Sequence, residues 1–250
     1  MLFSTITVNR PVVFEKGLAL ETMPAIVKEK IQELGLVAAL EAFPVVNLTI
    51  VQEFYANFPV EMTFQVKLKS IEPLNVRVRD KWVNISLPTI RRVLGLESPS
   101  RTALKRIREY INTASLPDLA NMLYSDPSRC PPPVGFLQSQ FMSEMVKVLC
   151  FVVRSLLTPS TQTSKVTKRQ AAFIAFMLTE DNPRFPVEYF IFQNIHKAAV
   201  DHGNSTKSSL VYPGLITLLC KDAGVTMKNA DAIVPPIPPL DLVSIHKSVS

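Results

Sequence analysis

Apolar residues recur at three- and four-residue intervals along most of the chain, the spacing of amphipathic helices. Thr22 and Pro24 mark a helix start, with Ile26, Val27, Ile31 and Leu34 as its inward stripe and Gly35 as its stop. Leu36 to Phe43 reads as a second short helix, ended before Pro44. Asn47 is placed to cap a third, with Ile50, Val51, Phe54, Tyr55 and Phe58 inward. The period then drops to two. Met62, Phe64, Val66 and Leu68 alternate with Thr63, Gln65, Lys67 and Lys69, as along a strand. Residues 76–79 and 82–85 flank Asp80-Lys81 and predict a hairpin turning on those two residues.

Helical spacing returns after the hairpin. Ser86 with Pro88 opens a helix that stops at Leu94-Gly95. Residues 100–112 predict a basic helix, and Ser115 caps another that carries Leu116, Leu119 and Leu123. Residues 125–135 form a proline-rich loop, read as an internal boundary or an extended strap. Gln138 to Leu157 is the longest predicted helix and, apolar on nearly all sides, a central one. A polar linker at 158–164 leads to Thr167, placed to cap a helix with Ala171, Ile174, Ala175 and Leu178 inward. Pro186 and Pro213 open two more, the last ending at Ala223-Gly224. Beyond Ala230 the chain is proline-rich without periodicity, so residues 233–250 predict a tail with no core of its own. The fold class expected is mainly α: a compact multi-helix domain with a small β-hairpin or short antiparallel sheet near residues 61–86. The expected organisation is an N-terminal extension (1–15), one domain (16–230) with a candidate internal boundary at 125–135, and a C-terminal tail (231–250).

Composition sharpens this picture. At 250 residues and 47% hydrophobic content the chain can bury a sizeable core. Seven glycines against twenty prolines argue against a Gly-rich phosphate loop and a hairpin-dense β fold. Cys130, Cys150 and Cys220 are too widely spaced for a zinc site or a disulfide framework. Cys150 and Cys220 lie in apolar runs and read as buried thiols, which points to a reducing, intracellular home, nuclear or cytoplasmic. The first eight residues lack the basic and apolar regions of a secretory signal. The most apolar stretch, 145–157, is broken by Lys147 and Arg154 and falls short of the roughly 20 residues of a membrane crossing, so no membrane partner is expected. The triplets at Asn47, Asn84 and Asn204 are read as chance glycosylation motifs.

The net charge of +6 is concentrated. Residues 67–109 hold eleven cations (Lys67, Lys69, Arg77, Arg79, Lys81, Arg91, Arg92, Arg101, Lys105, Arg106 and Arg108) against Glu72, Asp80, Glu97 and Glu109. The surplus of seven leaves −1 for the rest of the chain. Clustered Lys and Arg release counterions from phosphates, so this stretch is a candidate polyanion site. Ordinary amphipathic elements with solvated faces account for the same pattern. Arg77 and Arg79 share one strand face, and Arg101, Lys105 and Arg108 one helical face. Only Trp82 and Tyr110 interleave aromatically, which gives base stacking little support.

Catalytic patterns are missing. Three histidines, His196, His202 and His246, show no metal-ligand spacing, and no phosphate-loop or nucleophile-elbow motif occurs. Glu53, Asp118, Glu144, Glu180, Asp181, Glu188, Asp201 and Asp222 are scattered rather than gathered for a two-metal site. No catalytic residue, metal or cofactor is expected.

Four blocks are distinctive: Val51-Gln52-Glu53-Phe54-Tyr55-Ala56-Asn57-Phe58; residues 76–86 with Ile90 and Leu94-Gly95-Leu96; residues 157–167; and residues 212–225. In this order they resemble the plant transposon protein domain, a retrotransposon-associated domain of unknown function. The resemblance spans about residues 16–230. Gln52 stands where that family usually has Arg, Asp80 where a turn Gly is common and Arg91 where Asn is usual; a Trp often seen in the long helix is absent near 145–151. The resemblance implies transposon derivation and transfers no catalytic residue. Its signature positions read as caps, openers and core.

The function expected is a transposon-derived, non-enzymatic interaction module that binds DNA or RNA through residues 67–109. Lys165, Lys168 and Arg169 at a helix start are a second candidate phosphate contact. Protein partners or self-association are the other partner classes. The alternatives are a transposase- or integrase-like nuclease and a capsid-like assembly domain.

Overall fold

A computed structural model describes residues 10–41, 45–59, 74–100, 102–160, 162, 164–179, 184, 186–200 and 209–249. The expected strand at 62–69, with Lys67 and Lys69, lies outside them, as do Arg101 and Asn204. The fold is mainly α, as expected. The helices are α1 (Ala25–Glu33), α2 (Leu48–Ala56), α3 (Leu87–Val93), α4 (Ala103–Thr113), α5 (Leu116–Leu123), α6 (Glu144–Val152), α7 (Lys168–Leu178), α8 (Val187–Val200), α9 (Pro213–Asp222) and α10 (Leu242–Val249). The strands pair in twos: β1 (Val12–Val13), β2 (Val46–Asn47), β3 (Leu74–Val78), β4 (Lys81–Ile85), β5 (Phe136–Gln138), β6 (Lys165–Thr167), β7 (Leu210–Val211) and β8 (Ile233–Val234). β1 runs parallel to β7, whereas β2–β8, β3–β4 and β5–β6 are antiparallel.

The chain forms two compact units, each assembled from separate stretches. One comprises Met1–Lys16, Ala42–Leu96 and Glu188–Pro238; the other Gly17–Glu41, Glu97–Val187 and Pro239–Ser250. The proline-rich loop 125–135 lies inside the second unit.

In the first unit α9 is the central helix, packed against α2, α3, β2 and β4. Leu215, Ile216, Leu219 and Cys220 are buried on it. Its N-cap, Tyr212, takes the left-handed conformation (φ 53°) and offers no side-chain cap. The carboxylate of Glu15 supplies one instead, accepting the N–H groups of Gly214 and Leu215 at 2.9 Å each. Asn47 caps α2 as expected, accepting from the Ile50 N–H at 3.1 Å. Ile50, Val51, Phe54, Tyr55 and Phe58 all point inward. Phe54 meets Tyr55 and Phe58 edge to face, and the Tyr55 hydroxyl donates to the Val211 carbonyl. The β3–β4 hairpin buries Leu74, Val76, Val78, Val83 and Ile85 on one face.

In the second unit α7 buries eight consecutive residues, Gln170 to Met177, and packs against α4, α5 and α6. The side chains of Thr167 and Gln170 form a capping box at its start. α6, capped by Ser143, continues in a π-helical turn, Val153–Leu157, and is covered by α1 and α10. The polar block before α7 is held by hydrogen bonds: Thr158 accepts from Gln170, Ser164 from Ser139, and Lys165 from Arg154.

Several expectations need correction. Thr22 closes a 3-10 turn, its hydroxyl bonded to the Ala19 carbonyl, and Pro24 occupies the N-cap of α1. Ile26 is 60% exposed rather than inward. Among the described residues, the predicted helix at 36–43 is only the short turn Ala38–Leu40. The helix expected from Gln138 starts at Glu144, because residues 136–138 pair with β6 instead. The hairpin turns on Arg79-Asp80, since Val78 pairs with Lys81. The expected tail is ordered: β8 pairs with β2, Leu240 bridges to Leu18, and Ile245 of α10 is fully buried. Residues 10–15, the described part of the N-terminal extension, are likewise held, by β1, Arg10 and Glu15.

Candidate nucleic-acid interface

The candidate cations of the first unit divide into bound and unbound. Arg79 belongs to the turn, not to a strand face shared with Arg77. It is left-handed (φ 56°), a conformation costing roughly 1–2 kcal/mol for a side chain with Cβ. Its surroundings hold it there. The Arg79 N–H donates to Glu53, and its guanidinium donates to the Thr226 carbonyl and to Asp231. Burial pushes the Asp231 carboxyl up, but bonds from Lys228 N–H, Asn47 and Arg79 more than offset this and hold it below the usual range. On α3, Arg91 reaches the buried carboxylate of Glu188 at 2.6 Å, and Arg92 grips Asp222 with two bonds of 2.6 and 2.7 Å. Adjacent arginines thus tie α3 to α8 and to α9. These three side chains are structural ties.

Arg77 and Lys81 differ. Both are exposed, and neither meets a carboxylate among the described residues. Strand alternation places Arg77 with Asn75 on the outer face of β3, and Trp82 with Asn84 on that of β4. Trp82 pairs directly across from Arg77 and is 64% exposed. The Asn84 amide donates to the Asn75 oxygen at 3.0 Å, while its own oxygen accepts from Thr89 at 2.9 Å. Residue types alone undervalued Trp82. The signal was parity: it shares the register of Asn84, opposite to Val83 and Ile85.

In the second unit Lys105 and Arg106 are exposed on α4, Lys105 lying 3.7 Å from Glu109. Arg108 is half-buried. Arg106 also lines an open cleft of about 690 Å³ with Tyr110, Met122, Phe176 and Thr179. Lys165 and Arg169 lie over aromatic rings, Phe136 at 4.8 Å and Phe173 at 5.6 Å, and Lys168 is exposed.

Of the candidate acids, Glu53, Glu188 and Asp222 meet arginines and Asp118 meets Ser115 at the start of α5, while Glu180, Asp181 and Asp201 lie outside the described residues. Among the described residues no group of three or more His, Cys, Asp or Glu gathers as a metal site. Burial pushes the Cys150 and Cys220 thiols up to about 12, which makes them core groups rather than nucleophiles. His196 packs edge to face on Phe58. Asn47 is 1% exposed, out of reach of glycosylation in the folded chain. No helix among the described residues is long and apolar enough to cross a membrane.

No curated protein and no solved structure shows a significant match to the chain. The sequence model of one family, described as Putative plant retrotransposon-related domain, matches residues 36–226 and encloses all four distinctive blocks. The chain belongs to this retrotransposon-related family.

Proposed function

We propose that this retrotransposon-related domain is a non-enzymatic module that binds nucleic acid, with Arg77 and Lys81, the exposed cations of the β3–β4 hairpin, as contacts. One observation carries the proposal: in a unit where Arg79, Arg91 and Arg92 are each paired with a carboxylate, Arg77 and Lys81 stand exposed without one among the described residues. Cations that stabilise the fold are neutralised at home; cations left bare on a rigid strand pair are available to phosphates. The engagement of Glu53, Glu188 and Asp222 in ion pairs and of Asp118 in a cap favours binding over metal-assisted cleavage.

Titrating the full chain with labelled DNA and RNA oligonucleotides across a salt series tests this. Affinity is expected to fall linearly in log–log form with salt. Arg77→Ala and Lys81→Ala should each lower the slope by about 1. A chain that binds neither DNA nor RNA at low salt refutes the proposal.

A further inference from the structure

We infer that the nucleic acid taken by the hairpin is single-stranded, with one base stacked on Trp82 and the neighbouring phosphate met by Arg77. The inference rests on the nucleic-acid reading above and narrows it to a substrate class.

A tryptophan has the largest apolar surface of any side chain, and burying it is strongly favourable. The chain has only one, and leaves it 64% exposed on a strand whose Val83 and Ile85 are completely buried. A core role is therefore ruled out by register: Val83 and Ile85, of the opposite parity, take the buried positions of the strand. What surrounds Trp82 is specific. Arg77 faces it across the strand pair, a separation of about 5 Å between Cβ atoms. One step along the same face, Asn75 and Asn84 form the next outward pair. Because the Asn75 oxygen accepts from Asn84, the orientation of the Asn75 amide is set, and its N–H₂ group has no partner among the described residues. The face thus offers a flat ring, a planar cation and an oriented donor in a row. The hairpin's carboxylate, Asp80, sits in the turn beyond this row.

A duplex keeps its bases stacked inside and presents phosphates, which an exposed indole cannot use. A single strand offers bare base faces, for which aromatic platforms flanked by cations are the general solution. The positive charge disfavours an acceptor surface that is itself cationic, including a second copy of this face.

Because Trp82 is the sole tryptophan, fluorescence of the full chain excited at the red edge of indole absorption, where tyrosine does not absorb, reports on this face alone. Titration with an oligonucleotide of about 12 nucleotides, within the site size of such platforms, is expected to quench it, whereas the matching duplex is not. Anisotropy of a labelled oligonucleotide then ranks variants. Trp82→Ala should weaken single-strand binding by roughly 5- to 150-fold, and Trp82→Phe should recover much of the loss. Exposure makes both variants compatible with folding, which an unchanged unfolding midpoint verifies. If the chain binds duplex and single strand alike and Trp82→Ala binds both as tightly as the parent, the inference is overturned while the nucleic-acid reading stands. If fluorescence responds only to protein concentration, and Trp82→Ala abolishes self-association without affecting oligonucleotides, the face is a protein interface and the inference falls. Absence of any nucleic-acid binding removes both.

Discussion

At the scale of single residues, the most consequential side chain is Glu15. It is buried, and its carboxylate closes the N-terminus of α9, a helix some two hundred residues away. Burial raises its pKa from 4.5 to about 7, with the N–H groups of Leu215 and Gly214 pulling in the opposite direction. Arg10 and the Tyr55 phenol share its surroundings, Arg10 being bonded to the Ala198 carbonyl. The sign follows from proton linkage. Between the unfolded and folded pKa values the native state holds a proton that the unfolded chain has lost, so stability is greatest below about 4.5 and declines as pH rises to about 7. The shift is worth on the order of 3 kcal/mol. Glu15→Gln abolishes this titration. Urea unfolding at pH ~4 and ~8 should show the variant gaining on the parent by that order at the higher pH. A difference that is the same at both pH values would place the titration elsewhere.

At the scale of elements, the caps separate what local sequence encodes from what it does not. Asn47, Ser86, Ser115 and Thr167 each cap the helix expected of them, because a cap needs only a side-chain oxygen and an N–H three residues on. Glu15 could not be read this way: its partners are far along the chain. The same holds for β5, whose pairing with β6 claims residues that looked helical, and for Arg79, which moved into the turn when Val78 paired with Lys81. Parity along β4 is legible in the sequence, since Trp82 alternates with the apolar Val83, but only the pairing with β3 shows which face is buried. Caps also differ in consequence. Thr167→Ala removes one reciprocal cap and should cost about 1 kcal/mol. Asn47→Ala should cost more, about 2–4 kcal/mol, because Asn47 is buried and its side-chain amide also donates to the Asp231 carboxylate at 2.7 Å. Equal losses, measured by urea unfolding of the two variants, would contradict this ranking.

At the scale of the whole molecule, the residues matched to the family are fewer than the residues that make the fold. The match runs from 36 to 226, yet each unit draws on segments outside it. In the first unit, Glu15 closes α9, β1 pairs with β7, Asp231 neutralises Arg79 and fixes Asn47, and β8 covers β2. In the second, α1 and α10 cover α6, and Ile245 of α10 is completely buried. A fragment of residues 36–226 would expose the faces these segments cover and leave α9 without its acceptor. It would also leave the largely buried guanidinium of Arg79 without Asp231, and an unpaired buried charge alone costs several kcal/mol. The sum is comparable to the 5–15 kcal/mol that holds a typical domain together. The fragment should therefore lack the cooperative thermal transition expected of the full chain in the same scan. A 36–226 fragment melting sharply at the midpoint of the longer chain would mean that the flanking segments merely decorate the fold.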